Sequence, residues 1–156
     1  MKQFFMQQNP KELIEKLFDF AFNNPKNEKK IIDLGIIDAD LAKKIKEQTD
    51  LDLKDYVISV DNFAIRHTME KHGNPNTETP RGQIAITKED FSKITTIVLQ
   101  ADQISIDGTT SIGKEVILFE KRLEELYTVA KEVRTITSTK KGKVSRLMLQ
   151  SFWKRK

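Results

Sequence analysis

Apolar positions recur along this chain at helical spacing over most of its first hundred residues and alternate with polar ones after that. Leu13, Ile14, Leu17, Phe18 and Ala21 form a wide apolar face, which predicts a first helix from Pro10 to about Phe22. Asn9 is placed to cap it, with proline at its first position. Lys11–Glu15 and Glu12–Lys16 are spaced as surface pairs, and the NNPKN run at 23–27 ends the pattern. A short strand, KKIIDLG at 29–35, follows. A second helix capped near Asp38 then carries Leu41, Ile45 and Gln48 on one stripe. Tyr56–Val60 is β-branched and alternating, so it predicts a second strand.

Asp61 can cap a helix over 62–72 by accepting its orphan amide protons. Gly73 is expected to stop that helix in the left-handed conformation. The polar run GNPNTETPRGQ at 73–83 predicts an irregular loop. Thr87 with Asp90 three residues on predicts a capped helix ending near Gln100, with Phe91, Ile94 and Val98 inward. ISIDG, GKEVILFEK, LYTVAKEVRTI and KVSRLMLQSFW then read as four antiparallel strands joined at TTSIG, RLEE and TSTKKG. The expected fold is α+β, with N-terminal helices packed on a C-terminal four-stranded antiparallel meander.

Composition narrows the class without changing that picture. A chain of 156 residues suits one domain, here a helical extension (1–29) on a core (30–156). There is no cysteine, which removes disulfides, thiol catalysis and the commonest structural zinc sites. No apolar run approaches the ~20 residues of a membrane span. The opening MKQFFMQQNP is too short an apolar patch for a signal peptide. The expectation is a cytoplasmic protein with no membrane partner.

Charge distribution says more than the net charge of +4. Residues 131–156 carry nine basic side chains and one acid, Glu132, interleaved with Val133, Leu147, Leu149, Phe152 and Trp153. Apolar residues alternating with basic ones predict strands with a cationic surface, suited to a polyanion. A solubilising tail is the plainer alternative.

Both histidines lie on the predicted 62–72 helix. Ile65, Met69 and His72 share an inward stripe, whereas Phe63, His67 and Lys71 share a neighbouring one, and the two imidazoles point ~140° apart. HTMEKH therefore lacks the i, i+4 pair of a zinc-binding HExxH helix, and no metal and no cofactor are expected. His72 reads either as a half-buried histidine packed on Met69, its charge favoured by the helix C-terminus, or as a proton-transfer group or phosphate binder using the same dipole. His67, beside Arg66 and Lys71, reads as a solvated basic face or as an anion site. Arg81-Gly82-Gln83 is a surface turn, or a place where glycine lets backbone approach a phosphate that arginine grips. On the third meander strand Val129 and Val133 fall on one face, and Thr128, Ala130, Glu132 and Arg134 on the other. Ser151 and Lys154 near the chain end can face the same ligand, although alternation there is ambiguous.

The strings DLKDYVISVDNFAIRHTMEKHG, RGQIAITKEDFSKI and YTVAKEVRTI, in this order, resemble the phage-associated nuclease-like domains of the barnase–EndoU–colicin–RelE group. The resemblance spans roughly 30–154. It implies a barnase/RelE-like fold and a small toxin-like ribonuclease, with RNA as substrate and a cognate antitoxin or immunity protein as a possible partner. Such chemistry needs a base for the ribose 2′-OH, an acid for the leaving 5′-oxygen and cations for the phosphorane, with no metal. The candidates are Glu132 or His67 as base and His72 or His67 as acid, with Arg66, Arg81 and Arg134 on phosphate. Lys71, Gln83, Ser151, Lys154 and Arg155 are further nucleic-acid contacts. An inactive nucleic-acid-binding module and a phage-protein interaction domain are the alternatives.

Overall fold

A computed structural model describes residues 9–23, 28–136 and 144–156. Its six strands are β1 (Ile31–Ile36), β2 (Val57–Asp61), β3 (Gln103–Thr109), β4 (Glu115–Arg122), β5 (Leu126–Arg134) and β6 (Arg146–Arg155). They form one sheet in the order β1-β2-β6-β5-β4-β3. The last four are the antiparallel meander that alternation predicts. The expected four-stranded antiparallel sheet is nevertheless corrected to a six-stranded mixed one. β1 and β2 pair antiparallel, and β2 joins β6 in parallel. Alternation identifies a strand but not its neighbour. Ile58, Ser59 and Val60 are all fully buried, as an interior strand flanked on both sides must be.

Six helices accompany the sheet: α1 (Pro10–Asn23), α2 (Ala39–Thr49), α3 (Asn62–His72), α4 (Pro75–Glu78), α5 (Lys88–Phe91) and α6 (Ile94–Leu99). The caps are those the sequence predicts. Asn9 Oδ1 accepts from the Glu12 amide, Asp38 from Leu41, and Asp61 from Ala64, at 2.9, 2.9 and 2.7 Å. Three expectations change. Residues 73–83 are not irregular, because Asn74 caps α4 with Pro75 at its first position, and a 3₁₀ turn Thr79–Arg81 follows. The helix expected to run from Thr87 to Gln100 is two, interrupted at Ser92–Lys93, where the Ser92 hydroxyl bonds the Glu89 carbonyl at 2.7 Å. Gly73 has φ −95°, so it is not left-handed. It is glycine for space: a Cβ there would stand 2.6 Å from the Met69 carbonyl oxygen. The connector predicted at 137–142 lies outside the described residues.

One apolar core fills the space between a sheet face and the helices. Ile58, Phe119, Val129, Leu147 and Phe152 meet Leu17, Ile45, Ile65, Phe91 and Ile97 there. Burying such side chains contributes roughly 1.5–3 kcal/mol each.

The outer edge of β6 is covered in three steps, and these steps position the site. β2 pairs only with Arg146–Met148. The chain then turns at Asp61 into α3, which packs along the next part of β6. Finally Ile84 bridges Lys154, its amide donating to the Lys154 carbonyl at 2.9 Å. A helix thus replaces a strand beside residues 149–153, bringing both histidines against the sheet.

Candidate nucleic-acid site

Two separate groups form where α3 meets β5 and β6. The first is a cleft of about 270 Å³ lined by Lys29, Asp61, Phe63, Ala64, His67, Arg134, Leu149 and Gln150. His67 is exposed, as its stripe predicts. Arg134 reaches the cleft from β5, and its Nε donates in a short hydrogen bond to Glu132 Oε1. Glu132 is 5% exposed, and its carboxylate meets the cleft through its bond to Arg134. Asp61 caps α3 through one oxygen, and Lys29 approaches the other at 3.8 Å.

The second group lies at the far end of α3. His72 is buried, and its Nδ1 stands 3.0 Å from Oε2 of Glu78. Glu78 has no solvent exposure; its other oxygen accepts from Arg81 Nη1 at 3.1 Å. Arg81 Nη1 also donates to the Lys71 carbonyl. The Trp153 ring centroid is 5.7 Å from that of His72. Gln83 belongs to this end too, with a buried Oε1 that has no hydrogen-bond partner among the described residues. Arg81 is therefore grouped with His72, and not with His67 and Arg134 as one shared site would require.

The remaining candidates disperse. Arg66 lies over the Phe22 ring at 5.3 Å, and the Lys71 side chain is exposed. On β6, Ser151 pairs with Ala130 and Leu149 with Lys131, leaving Gln150 as an extra, bulged residue. The bulge resets the alternation, so Ser151, Trp153 and Arg155 share the Glu132 face with Met148 and Arg146. Lys154 falls on the opposite face. It is 8% exposed and ion-paired with Asp90 at 3.0 Å and Glu125 at 3.6 Å. Tyr127 donates to Asp90 in the same cluster, beside a larger cavity of about 500 Å³. Burial raises the Asp90 carboxyl, but the Thr87 amide, Lys154 and Tyr127 outweigh it and hold it below the usual range. Burial and Asp90 push the Tyr127 phenol up. These charges answer one another, so Lys154 stands in an interior ion pair on the face opposite Glu132.

The basic C-terminal run is consequently not one cationic surface. Lys131 is fully buried and Lys154 nearly so, Arg134 is paired with Glu132, and Arg146 with Asp33. Lys140, Lys141 and Lys143 lie outside the described residues.

Sequence reasoning passed over four residues near these groups: Lys29, Glu78, Lys131 and Arg146. Asn74-Pro75 was a helix-start signal, and a helix there would have turned Glu78 toward Arg81 at i, i+3. No local pattern marks the other three. Lys131 crosses β6 at the bulge, and its Nζ donates to the Ser59 carbonyl at 2.7 Å. Burial drives its pKa down to about 7, against an opposing pull from Asp61. Among the described residues no three His, Asp or Glu side chains group to hold a metal ion. Nor is any described helix long and apolar enough to cross a membrane.

No curated protein and no solved structure matches the chain. A family profile does, over residues 36–156, from the start of the α2 connection to the last residue of the sequence. That span holds both histidine groups, the cleft residues of α3, β5 and β6, and five of the six strands in full. The chain belongs to the phage-Barnase-EndoU-ColicinE5/D-RelE like nuclease 3 family.

Proposed function

We propose that the protein is a toxin-like endoribonuclease that needs no metal and reacts in the His67–Arg134 cleft. One observation carries the choice of site: His67 from α3 and Arg134 from β5 line a single cleft, with the Glu132 carboxylate bonded to that arginine. These are the three kinds of group that phosphodiester cleavage by a neighbouring hydroxyl requires. Glu132 takes the ribose 2′-OH proton as O2′ bonds to phosphorus. Arg134, with Lys29 across the cleft, stabilises charge on the phosphorane oxygens. His67 gives a proton to O5′ as the P–O5′ bond breaks. The products are a 2′,3′-cyclic phosphate and a 5′-hydroxyl.

Purified protein mixed with RNA and excess EDTA tests this. Cleavage should persist with cyclic-phosphate ends, and DNA, lacking the 2′-OH, should survive. Loss of cleavage on chelation, restored by a divalent ion, removes the mechanism.

A second reading places the proton transfer at His72. A buried carboxylate on Nδ1 is the arrangement that orients an imidazole to act through Nε2. The two readings separate by which histidine variant loses turnover while still folded.

A further inference from the structure

Arg134 on β5 and Arg146 on β6 are direct cross-strand partners. Antiparallel partners project from the same face, so the two arginines leave the sheet from adjacent positions. Like charges so placed are destabilising unless something answers them. Each arginine has one carboxylate, but on opposite flanks. Glu132 lies two residues back along β5 and binds Arg134 through Nε alone. Asp33 lies on β1, beyond β2, and takes Arg146 Nε at 3.2 Å and Nη2 at 3.4 Å. Asp33 also accepts from the Ser59 hydroxyl at 2.6 Å. Burial raises the Asp33 carboxyl, and bonds from Arg146 and Ser59 bring it below the usual range, so Arg146 faces an anion there.

These pairings leave donors between the strands. Both Nη groups of Arg134 have no hydrogen-bond partner among the described residues, and neither does Nη1 of Arg146. The side chains keep 39% and 28% exposure. Arg134 also lines the His67 cleft, and Arg146 is its direct cross-strand partner.

We propose that Arg146, beside Arg134, forms a second phosphate subsite that takes the phosphodiester neighbouring the one in the His67 cleft on the same single strand. The proposal rests on the ribonuclease reading for its ligand class, and its test uses a strand that cannot be cleaved. An isolated guanidinium pair would take any phosphate. Adjacency to the cleft selects a backbone phosphate over a free one.

The probe is a single-stranded deoxyoligonucleotide, with binding measured across a salt series on the full chain. Arg146→Gln keeps a polar group near Asp33 and removes the charge. It should flatten the log affinity against log salt slope by about 0.7, the share of one phosphate contact. Asp33→Asn frees Arg146 and should tighten binding in the wild-type background but not in Arg146→Gln, a coupling read from a double-mutant cycle. An unchanged slope in Arg146→Gln, or equal tightening by Asp33→Asn in both backgrounds, overturns the subsite while RNA cleavage by the parent protein stands. An Arg146-dependent slope without RNA cleavage upholds the subsite and removes the ribonuclease. A parent protein that binds inorganic phosphate but not this oligonucleotide overturns the subsite, with the ribonuclease reading left to the RNA cleavage assay.

Discussion

Nδ1 of His72 lies 3.0 Å from Oε2 of Glu78, a carboxylate with no solvent exposure, and this contact divides the two histidines by role. His67 five residues earlier is exposed and opens on the cleft. The buried pair ties the end of α3 to α4, and Arg81 secures the same carboxylate from the 3₁₀ turn. Removing one partner of a buried ionic group leaves the other uncompensated. Glu78→Gln is therefore expected to cost about 3 kcal/mol, measured as a lower urea midpoint. His72→Ala should also destabilise, whereas His67→Ala should melt with the parent protein. Equal unfolding midpoints for all three variants would contradict this division.

His67→Ala is expected to reduce RNA turnover by ~10²-fold or more, the usual contribution of a positioned proton-transfer group. Because the residue is exposed, the loss should appear with folding intact. Steady-state cleavage of a short RNA measures it. Full activity in this variant would move the chemistry to His72.

Much of this arrangement was legible in the sequence, and the parts that were not share a cause. Caps at Asn9, Asp38 and Asp61, the buried stripe of α3 and the two faces of β5 follow from interactions within a few residues, where periodicity and capping chemistry act directly. The parallel β2–β6 pairing follows from contacts some ninety residues apart, to which local pattern is blind. Lys154 shows the difference most plainly. Strand alternation would decide its face, but Gln150 bulges out and shifts the count by one, and nothing in LMLQSFW announces a bulge. The partners of Arg146 and Lys131 each sit two strands away, on β1 and β2, a distance no local pattern gives before the sheet is assembled.

Glu132→Gln is expected to abolish turnover while sparing RNA binding. The substitution keeps size and an oxygen for Arg134 but removes basicity, and it lifts a negative charge from beside that arginine. Binding by fluorescence anisotropy should stay equal or tighten, with cleavage measured in parallel. A variant that still cleaves at the parent rate would take Glu132 out of the reaction.

Lys154→Glu separates an interior ion pair from a ligand contact. A third carboxylate beside Asp90 and Glu125 should destabilise the fold by about 3 kcal/mol or more. Asp90 adds an acid-side signature, because its carboxyl is held low in the folded state. Its contribution is complete above the unfolded value of about 3.9 and is lost as pH falls through the folded one. Asp90→Asn should accordingly show weaker acid dependence than the parent below pH about 4, read from urea midpoints. A folded Lys154→Glu with normal stability and weakened RNA binding would return the residue to the surface.

Lys131 gives the fold an opposite, alkaline signature. Its side chain is fully buried, its Nζ donates to the Ser59 carbonyl at 2.7 Å, and only Asp61 pulls against the effect of burial. Burial disfavours the ammonium form, which brings the folded pKa to about 7. An unfolded lysine keeps its proton to about pH 10.4. Between these values the unfolded chain binds more protons than the folded one, so stability rises with pH, by at most about 1.4 kcal/mol per unit. Below pH about 7 both states hold the proton and the burial cost is felt in full. Lys131→Met has similar length and no charge. It should be more stable than the parent at pH 6, lose that advantage by pH 10, and lack the rise between. Urea unfolding at intervals from pH 6 to 10 measures both profiles, and parallel profiles would mean that the interior amine titrates alike in both states.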